Sequence, residues 1–134
     1  MARTDSSLKV FLADDSALIR TRVAAMLAAP AMTIVGQGST PRACIDGIRA
    51  SRPDVVVLDV QLEGGTGIDV LRGVREAAGA AGAGSLPEFI VFSNNAEDAY
   101  RKRYLAEGAH VFLDKSTQFD QLAGAIAAAP RHRE

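Results

Sequence analysis

Three aspartates, a serine and a lysine occupy positions from which a reactive site could be assembled. Asp14 and Asp15 are adjacent; Asp59 follows the apolar run Val55 to Leu58; Ser93 follows Phe89 to Phe92; and Lys115 follows Ala109 to Leu113 after Asp114. Carboxylates brought to short range repel one another and need a counter-charge. Mg²⁺ suits such a set, because it takes oxygen ligands in near-octahedral geometry and keeps some of its waters. A lysine ammonium neutralises a further charge and, as a point charge on a flexible stem, can hold a phosphoryl oxygen. Ser93 adds a hydroxyl donor. Together they match a site that stabilises phosphoryl charge by cation and hydrogen bond. Singly, each has a plainer reading: a strand-end aspartate as a helix cap or solvated turn, Asp15 as the cap of the first helix, Lys115 as a surface lysine.

These five residues can meet only if the elements before them end at one edge. Strand-like and helix-like segments alternate along the whole chain. Strands are expected at Leu8 to Ala13, Met32 to Val35, Val55 to Leu58, Phe89 to Phe92 and Ala109 to Leu113. Gly36 and Gly38 are read as a turn after the second. The third lacks alternation, as a strand buried on both faces does. Ser16 opens a first helix with Ile19, Val23, Met26 and Leu27 on one face, and Pro30 ends it. Thr40 and Pro41 start a second, hydroxyl cap before first-turn proline, with Ile45 and Ile48 as its stripe. Gly64, Gly65 and Gly67 mark a loop, after which Thr66 and Asp69 have capping-box spacing for a helix carrying Ile68, Leu71 and Val74. Ala77 to Ser85 reads as a flexible exit. Asn95 and Asp98 are candidate caps of a fourth helix, and Phe119, Leu122, Ala123 and Ile126 face inward from the last. Pro130 to Glu134 reads as a frayed tail. Five such repeats predict an α/β fold: a doubly wound, five-stranded parallel sheet with five helices over both faces. In that fold the strand C-termini share one edge, where ligands bind, so the five residues converge.

Composition excludes several classes. With 134 residues there is room for one well-buried core but not two, so residues 1–134 are expected to form a single domain with a core of about 8–129. Fifteen basic against sixteen acidic residues leave a net charge of −1, which argues against nucleic-acid binding by bulk charge. The absence of tryptophan argues against a base-stacking groove. Cys44 stands alone, so it forms no internal disulfide, and it reads as a small buried hydrophobe. His110 and His132 are too few and scattered for a zinc site. No run of the chain is long and apolar enough for a membrane span, and a cytoplasmic location is expected. Neither a phosphate-binding glycine loop with its lysine, nor a dinucleotide fingerprint, nor a G-x-S-x-G elbow is present.

In their order and spacing, Asp14-Asp15, Asp59, the Leu62 to Gly67 loop, Ser93, Gly108-Ala109 and Lys115 resemble the receiver (response regulator) domain of bacterial two-component signalling, which has the flavodoxin-like architecture. The resemblance implies that Asp59 accepts a phosphoryl group from a phosphohistidine on a sensor histidine kinase or histidine phosphotransfer protein. It implies Mg²⁺ held by Asp15, Asp59 and the backbone carbonyl of Gln61, with Asp14 acting mainly through water. Lys115 would pair with Asp59 and then with a phosphoryl oxygen, and Ser93 would bond another. Phe112 stands at the position of the switching aromatic, which would turn inward as Ser93 is drawn to the phosphoryl group. The face made by the fourth helix, fifth strand and fifth helix would then change. It carries Arg101, Lys102 and Arg103 around Tyr100 and Tyr104, a face for a homodimer or a downstream protein. Such a chain is no conventional enzyme, although it would catalyse its own aspartyl phosphorylation and dephosphorylation.

Four positions depart from the family's usual form. Ser116 replaces the proline, often cis, that follows the lysine; a cis bond before serine is costly, so the loop is expected to be trans or strained. Glu63 replaces a common proline near the rim. Ser93 stands where threonine is equally familiar, and Asn94 where a small residue is usual. Gln61 and Asn94 are expected to tune the lifetime of the phosphorylated form. Three alternatives stand beside the signalling switch. The chain could be the receiver part of a DNA-binding transcriptional regulator, or a non-phosphorylated protein-binding module. A Mg²⁺-dependent phosphatase is disfavoured, because its second acid would lie two residues after the first-strand nucleophile and Ser16 and Ala17 stand there instead.

Overall fold

The computed structural model describes residues 7–28, 32–81, 86–94 and 97–129. Strands β1 (Leu8–Ala13), β2 (Met32–Gly38), β3 (Val55–Leu58), β6 (Glu88–Ser93) and β7 (Val111–Asp114) form one sheet in the order β2-β1-β3-β6-β7, every pairing parallel. β4 (Gln61–Leu62) and β5 (Gly65–Thr66) form a separate antiparallel ribbon after β3. The helices are α1 (Ala17–Met26), α2 (Pro41–Ser51), α3 (Gly67–Ala81), α4 (Asp98–Ala106), α5 (Lys115–Gln118) and α6 (Leu122–Ala128), with a 3₁₀ turn at Phe119–Gln121 joining the last two. The expected fifth helix is therefore a helical run in three pieces. The doubly wound architecture is as the alternation predicts.

Parallel sheets need cover on both faces, and two apolar clusters supply it. One packs Phe11, Val56, Leu58, Phe89 and Val91 with Ile48 of α2, Leu71 and Val74 of α3 and Tyr104 of α4. The other packs Val10, Leu12, Val57, Ile90 and Phe92 with Val23 and Leu27 at α1 and Leu122 and Ile126 of α6. All four residues of β3 are buried, as expected of a strand that is central and covered twice.

Several boundaries differ from expectation. β2 runs on through Gly38, so Gly36 and Gly38 are strand residues rather than a turn. The register skips Val35, with Val10 opposite Ile34 and Phe11 opposite Gly36, so the strand bulges there. The Phe11 ring lies over Gly36, where a Cβ would stand 2.9 Å from its Cε2. α3 extends to Ala81, because alanine is the best helix former and sustains the segment through Gly79. α4 starts after Glu97, which makes no side-chain cap bond; Asp98 is the first helical residue rather than a cap, and Asn95 lies outside the described residues. Ser16, not Asp15, caps α1, its Oγ accepting from Ile19 N–H at 3.2 Å. Thr40 caps α2 as expected, accepting from Ala43 N–H at 3.1 Å. The Thr66/Asp69 capping box forms too, Thr66 N–H donating to Asp69 at 3.0 Å and Asp69 N–H to Thr66 at 3.4 Å. Pro30, His132 and the tail from Pro130 lie outside the described residues.

Candidate functional site

Main-chain bonds across the C-terminal edge of the sheet set the site's frame. Asp14 N–H donates to the Gly38 carbonyl at 3.1 Å, and Asp59 N–H to the Ala13 carbonyl at 2.9 Å. The two acids are thereby fixed side by side at the ends of β1 and β3. Asp14 is fastened further: it accepts the Ser16 N–H at 2.9 Å, and the Arg20 guanidinium donates to its carbonyl. Asp15 faces solvent. Carboxylate oxygens of Asp14, Asp15 and Asp59 lie within 4.8 Å of one another. An all-oxygen set with two buried members and one exposed one fits a hard divalent cation that keeps part of its water shell.

Lys115 is the counter-charge. It lies at the first position of α5, its Nζ 2.6 Å from Asp14 Oδ2 and 3.0 Å from Asp59 Oδ2, with all three side chains under one-tenth exposed. Burial raises the Asp59 pKa above the ordinary carboxylate range; Lys115 pulls it down, Asp14 pushes it up again, and a hydrogen bond from the Ser93 side chain lowers it. Burial works against the Lys115 charge, but the bonds and charges of Asp14 and Asp59 outweigh it and hold the ammonium's pKa up. The lysine is therefore firmly cationic. Lys115 pairs with Asp14 at the shorter distance, a contact absent from the expectation that it would pair with Asp59.

No peptide bond among the described residues is cis, so Lys115–Ser116 is trans. A side-chain clasp aims the lysine. Asp114 accepts from Ser116 N–H at 2.8 Å and from Ser116 Oγ at 2.6 Å, while Asp114 N–H donates to Gln118 Oε1 at 2.9 Å. These bonds satisfy orphan donors at the helix start, as a capping motif does.

Gln61 lies on the β4–β5 ribbon, paired with Thr66, its side chain exposed beyond Asp59. Asn94 is exposed next to buried Ser93 at the end of β6. Both stand at the rim. Phe112 is already inside, 3% exposed, edge-on to Tyr104 with ring centroids 6.2 Å apart. The Arg101 guanidinium sits 5.0 Å above the Phe112 ring and donates to the Phe112 carbonyl at 3.0 Å. An aromatic expected to turn inward on activation is thus buried in this structure. Tyr104 is no surface anchor either: it is 2% exposed, and the large exposed apolar side chains of α4 are Tyr100 and Leu105.

Two supporting residues escaped the sequence reading. A Cβ at Gly67 would collide with the Asp59 carbonyl and stand 3.1 Å from the Tyr104 ring, so the turn out of the site closes only on glycine. Tyr104 was placed on the wrong face, because its helix is polar on most sides and its burial comes from contacts with α3 and β7. The apolar neighbour at Phe112 was the available signal.

Comparison with known proteins agrees with this geometry. A family model described as response regulator receiver domain matches residues 10–127. The transcriptional regulatory protein DesR of Bacillus subtilis is 23% identical over 89% of the chain and 56% of its own length. The DNA-binding transcriptional activator DevR/DosR of Mycobacterium tuberculosis is 32% identical over 89% of the chain and 52% of its own. The chain spans about half the length of these curated relatives. Among solved structures, the receiver domain of the response regulator NarL from Mycobacterium tuberculosis superposes with a TM-score of 0.79 at 27% identity, covering 91% of this chain and 94% of that one. A LuxR-family two-component response regulator from Aurantimonas superposes at 0.81 with 25% identity, covering 92% and 84%. The chain belongs to the response regulator receiver domain family.

Proposed function

We infer that this chain is a phosphorylation-responsive receiver in which Asp59 is the phosphoryl acceptor, and that residues 8–129 form its working unit. The observation that carries the reading is the Lys115 ammonium set between Asp14 and Asp59 inside an all-oxygen cluster. Asp14, Asp15, Asp59 and the Gln61 carbonyl would hold Mg²⁺, which when bound supplies positive charge to phosphoryl oxygens as they approach. An Asp59 carboxylate oxygen attacks the phosphorus of a phosphohistidine. The new P–O bond forms as the P–N bond breaks, and the electron pair leaves on the imidazole nitrogen. Lys115 moves from carboxylate to phosphoryl oxygen, and Ser93 donates to another. Phosphorylation thus adds charge and acceptor oxygens beside a lysine already paired, which biases a two-state equilibrium at β6 and β7.

The partners on this reading are a sensor histidine kinase or histidine phosphotransfer protein on the input side, in a cytoplasmic setting. No helix among the described residues is long and apolar enough to cross a membrane. On the output side the face of α4, β7 and the helical run from α5 to α6 includes exposed Tyr100, Leu105, Lys102 and Arg103 of α4, suited to a second copy or a downstream protein. The length of the curated relatives favours a second reading, in which the chain is the receiver part of a transcriptional regulator and its output lies in a further domain.

Incubation with acetyl phosphate and Mg²⁺, followed by intact mass, tests the core of the proposal. A phosphoryl adduct is expected in the native chain and not in Asp59→Asn. An adduct that persists in Asp59→Asn, or none from either acetyl phosphate or a phosphohistidine donor in a folded, Mg²⁺-binding protein, refutes it.

A further inference from the structure

Tyr104 heads the fully buried side chains in size, yet it comes from α4, whose other described residues are exposed or half-buried. Its polar end reaches the loop that leaves Asp59. Ile68 N–H donates to the Tyr104 hydroxyl oxygen at 3.1 Å, and the hydroxyl donates to the Val60 carbonyl at 3.3 Å. The Val60 carbonyl also receives the Gly67 N–H at 2.9 Å. Val60 lies between Asp59 and Gln61, and Ile68 is in the first turn of α3, where an amide has no partner within its own helix. One hydroxyl therefore ties both ends of the turn that carries the acceptor and the expected carbonyl ligand. The ring of the same residue packs edge-on to Phe112, which Arg101 covers. A phenyl ring would fill the same space. What the hydroxyl adds is the pair of bonds to the acceptor loop, and a buried hydroxyl is tolerated only when so bonded.

We propose that Tyr104 is a positioning residue for phosphoryl acceptance: its hydroxyl holds the turn from Asp59 to Ile68 in the geometry that Asp59 and the Gln61 carbonyl need, and its ring links that geometry to Phe112 and α4. The proposal rests on Asp59 being the acceptor. It assigns a role to a helix otherwise seen only as an output face, and it makes α4 a structural partner of the site before any phosphate arrives.

Tyr104→Phe in the full chain keeps the ring and removes the two bonds. Groups that orient ligands from behind typically change metal affinity by tenfold or more. Mg²⁺ binding by calorimetry is therefore expected to weaken roughly tenfold, and phosphoryl uptake from acetyl phosphate to slow by a similar factor. Leu122→Ala, in the cluster on the other sheet face, is the control, expected to lower stability while leaving the Mg²⁺ dissociation constant unchanged. Native affinity and rate in Tyr104→Phe, or an equal loss in Leu122→Ala, would overturn the proposal. The unaltered protein offers a test that needs no variant. Beryllium fluoride with Mg²⁺ is expected to shift the Ile68 amide resonance, and an unmoved Ile68 in a protein that binds the pair would also overturn it. A native chain that takes up neither Mg²⁺ nor phosphoryl group defeats the acceptor reading and this proposal with it; uptake with a flat Tyr104 arm defeats this proposal alone.

Discussion

Lys115→Met keeps the side-chain stem and removes the charge that two buried acids share. Nζ lies 2.6 Å from Asp14 and 3.0 Å from Asp59. At an effective dielectric of about 20, each contact carries roughly 6 kcal/mol of attraction. Most of that is offset by the desolvation of the ammonium and the two carboxylates, so the net loss on breaking the cluster is expected at about 3–5 kcal/mol. For a chain of this size that is a fall of on the order of 10 °C or more in Tm. The pH dependence gives the deficit its signature. Asp59 already sits above the ordinary carboxylate range through burial, and the variant loses the Lys115 charge that pulls it down. A carboxyl whose folded pKa exceeds its unfolded value near 3.9 contributes stability below that value and loses it as pH rises through the folded one. Lys115→Met is therefore expected to approach native stability in mild acid and fall behind toward neutrality. If Mg²⁺ binds the assembled acids as proposed, it supplies part of the missing positive charge and is expected to restore up to about 2.7 kcal/mol at a hundredfold excess over its dissociation constant. Urea unfolding of both proteins across pH, with and without Mg²⁺, measures all of this. A variant as stable as the parent at pH 7 without Mg²⁺, or a deficit indifferent to both pH and Mg²⁺, refutes the reasoning.

Four other substitutions separate the site from its scaffold. Gly67→Ala forces a methyl against the Asp59 carbonyl, a backbone atom that cannot swing aside, and is expected to cost about 1–3 kcal/mol in urea unfolding and to slow phosphoryl uptake. Gln61→Ala and Asn94→Ala alter exposed rim residues, so stability should hold within about 0.5 kcal/mol while phosphoryl lifetime changes severalfold; unchanged dephosphorylation rates would remove them from the tuning role. Glu107 accepts from Arg72 at 2.6 Å and Arg75 at 3.1 Å, and these bonds hold its carboxyl down at about 2. Its contribution is present above the unfolded pKa and lost as pH falls toward the folded value, so Glu107→Gln should trail the parent at pH 7 and match it near pH 2, read from urea midpoints at each pH.

Where the sequence reading succeeded, the signal was local. Caps and strand cores depend on neighbours within a few residues, which is why Thr40, the Thr66/Asp69 box and β3 were legible. The reading missed where a distant element overrode local preference. Gly36 reads as a turn residue until Phe11, across the sheet, is seen to need its missing side chain. α4 shows no sequence stripe that would bury Tyr104, and its position is explained by α3, β7 and the loop after Asp59.

The identities of Asp14, Asp15, Asp59, Ser93 and Lys115, and their places at strand ends, are written in the chain, because the right-handed parallel topology leaves one edge where such ends can meet. Distances and pairings are not. That Lys115 binds Asp14 more closely than Asp59, and that Phe112 is buried beside Tyr104 under Arg101, depend on how separate elements pack together. Such choices belong to tertiary structure, since burial sets the strength of each charge and packing sets which partner it reaches.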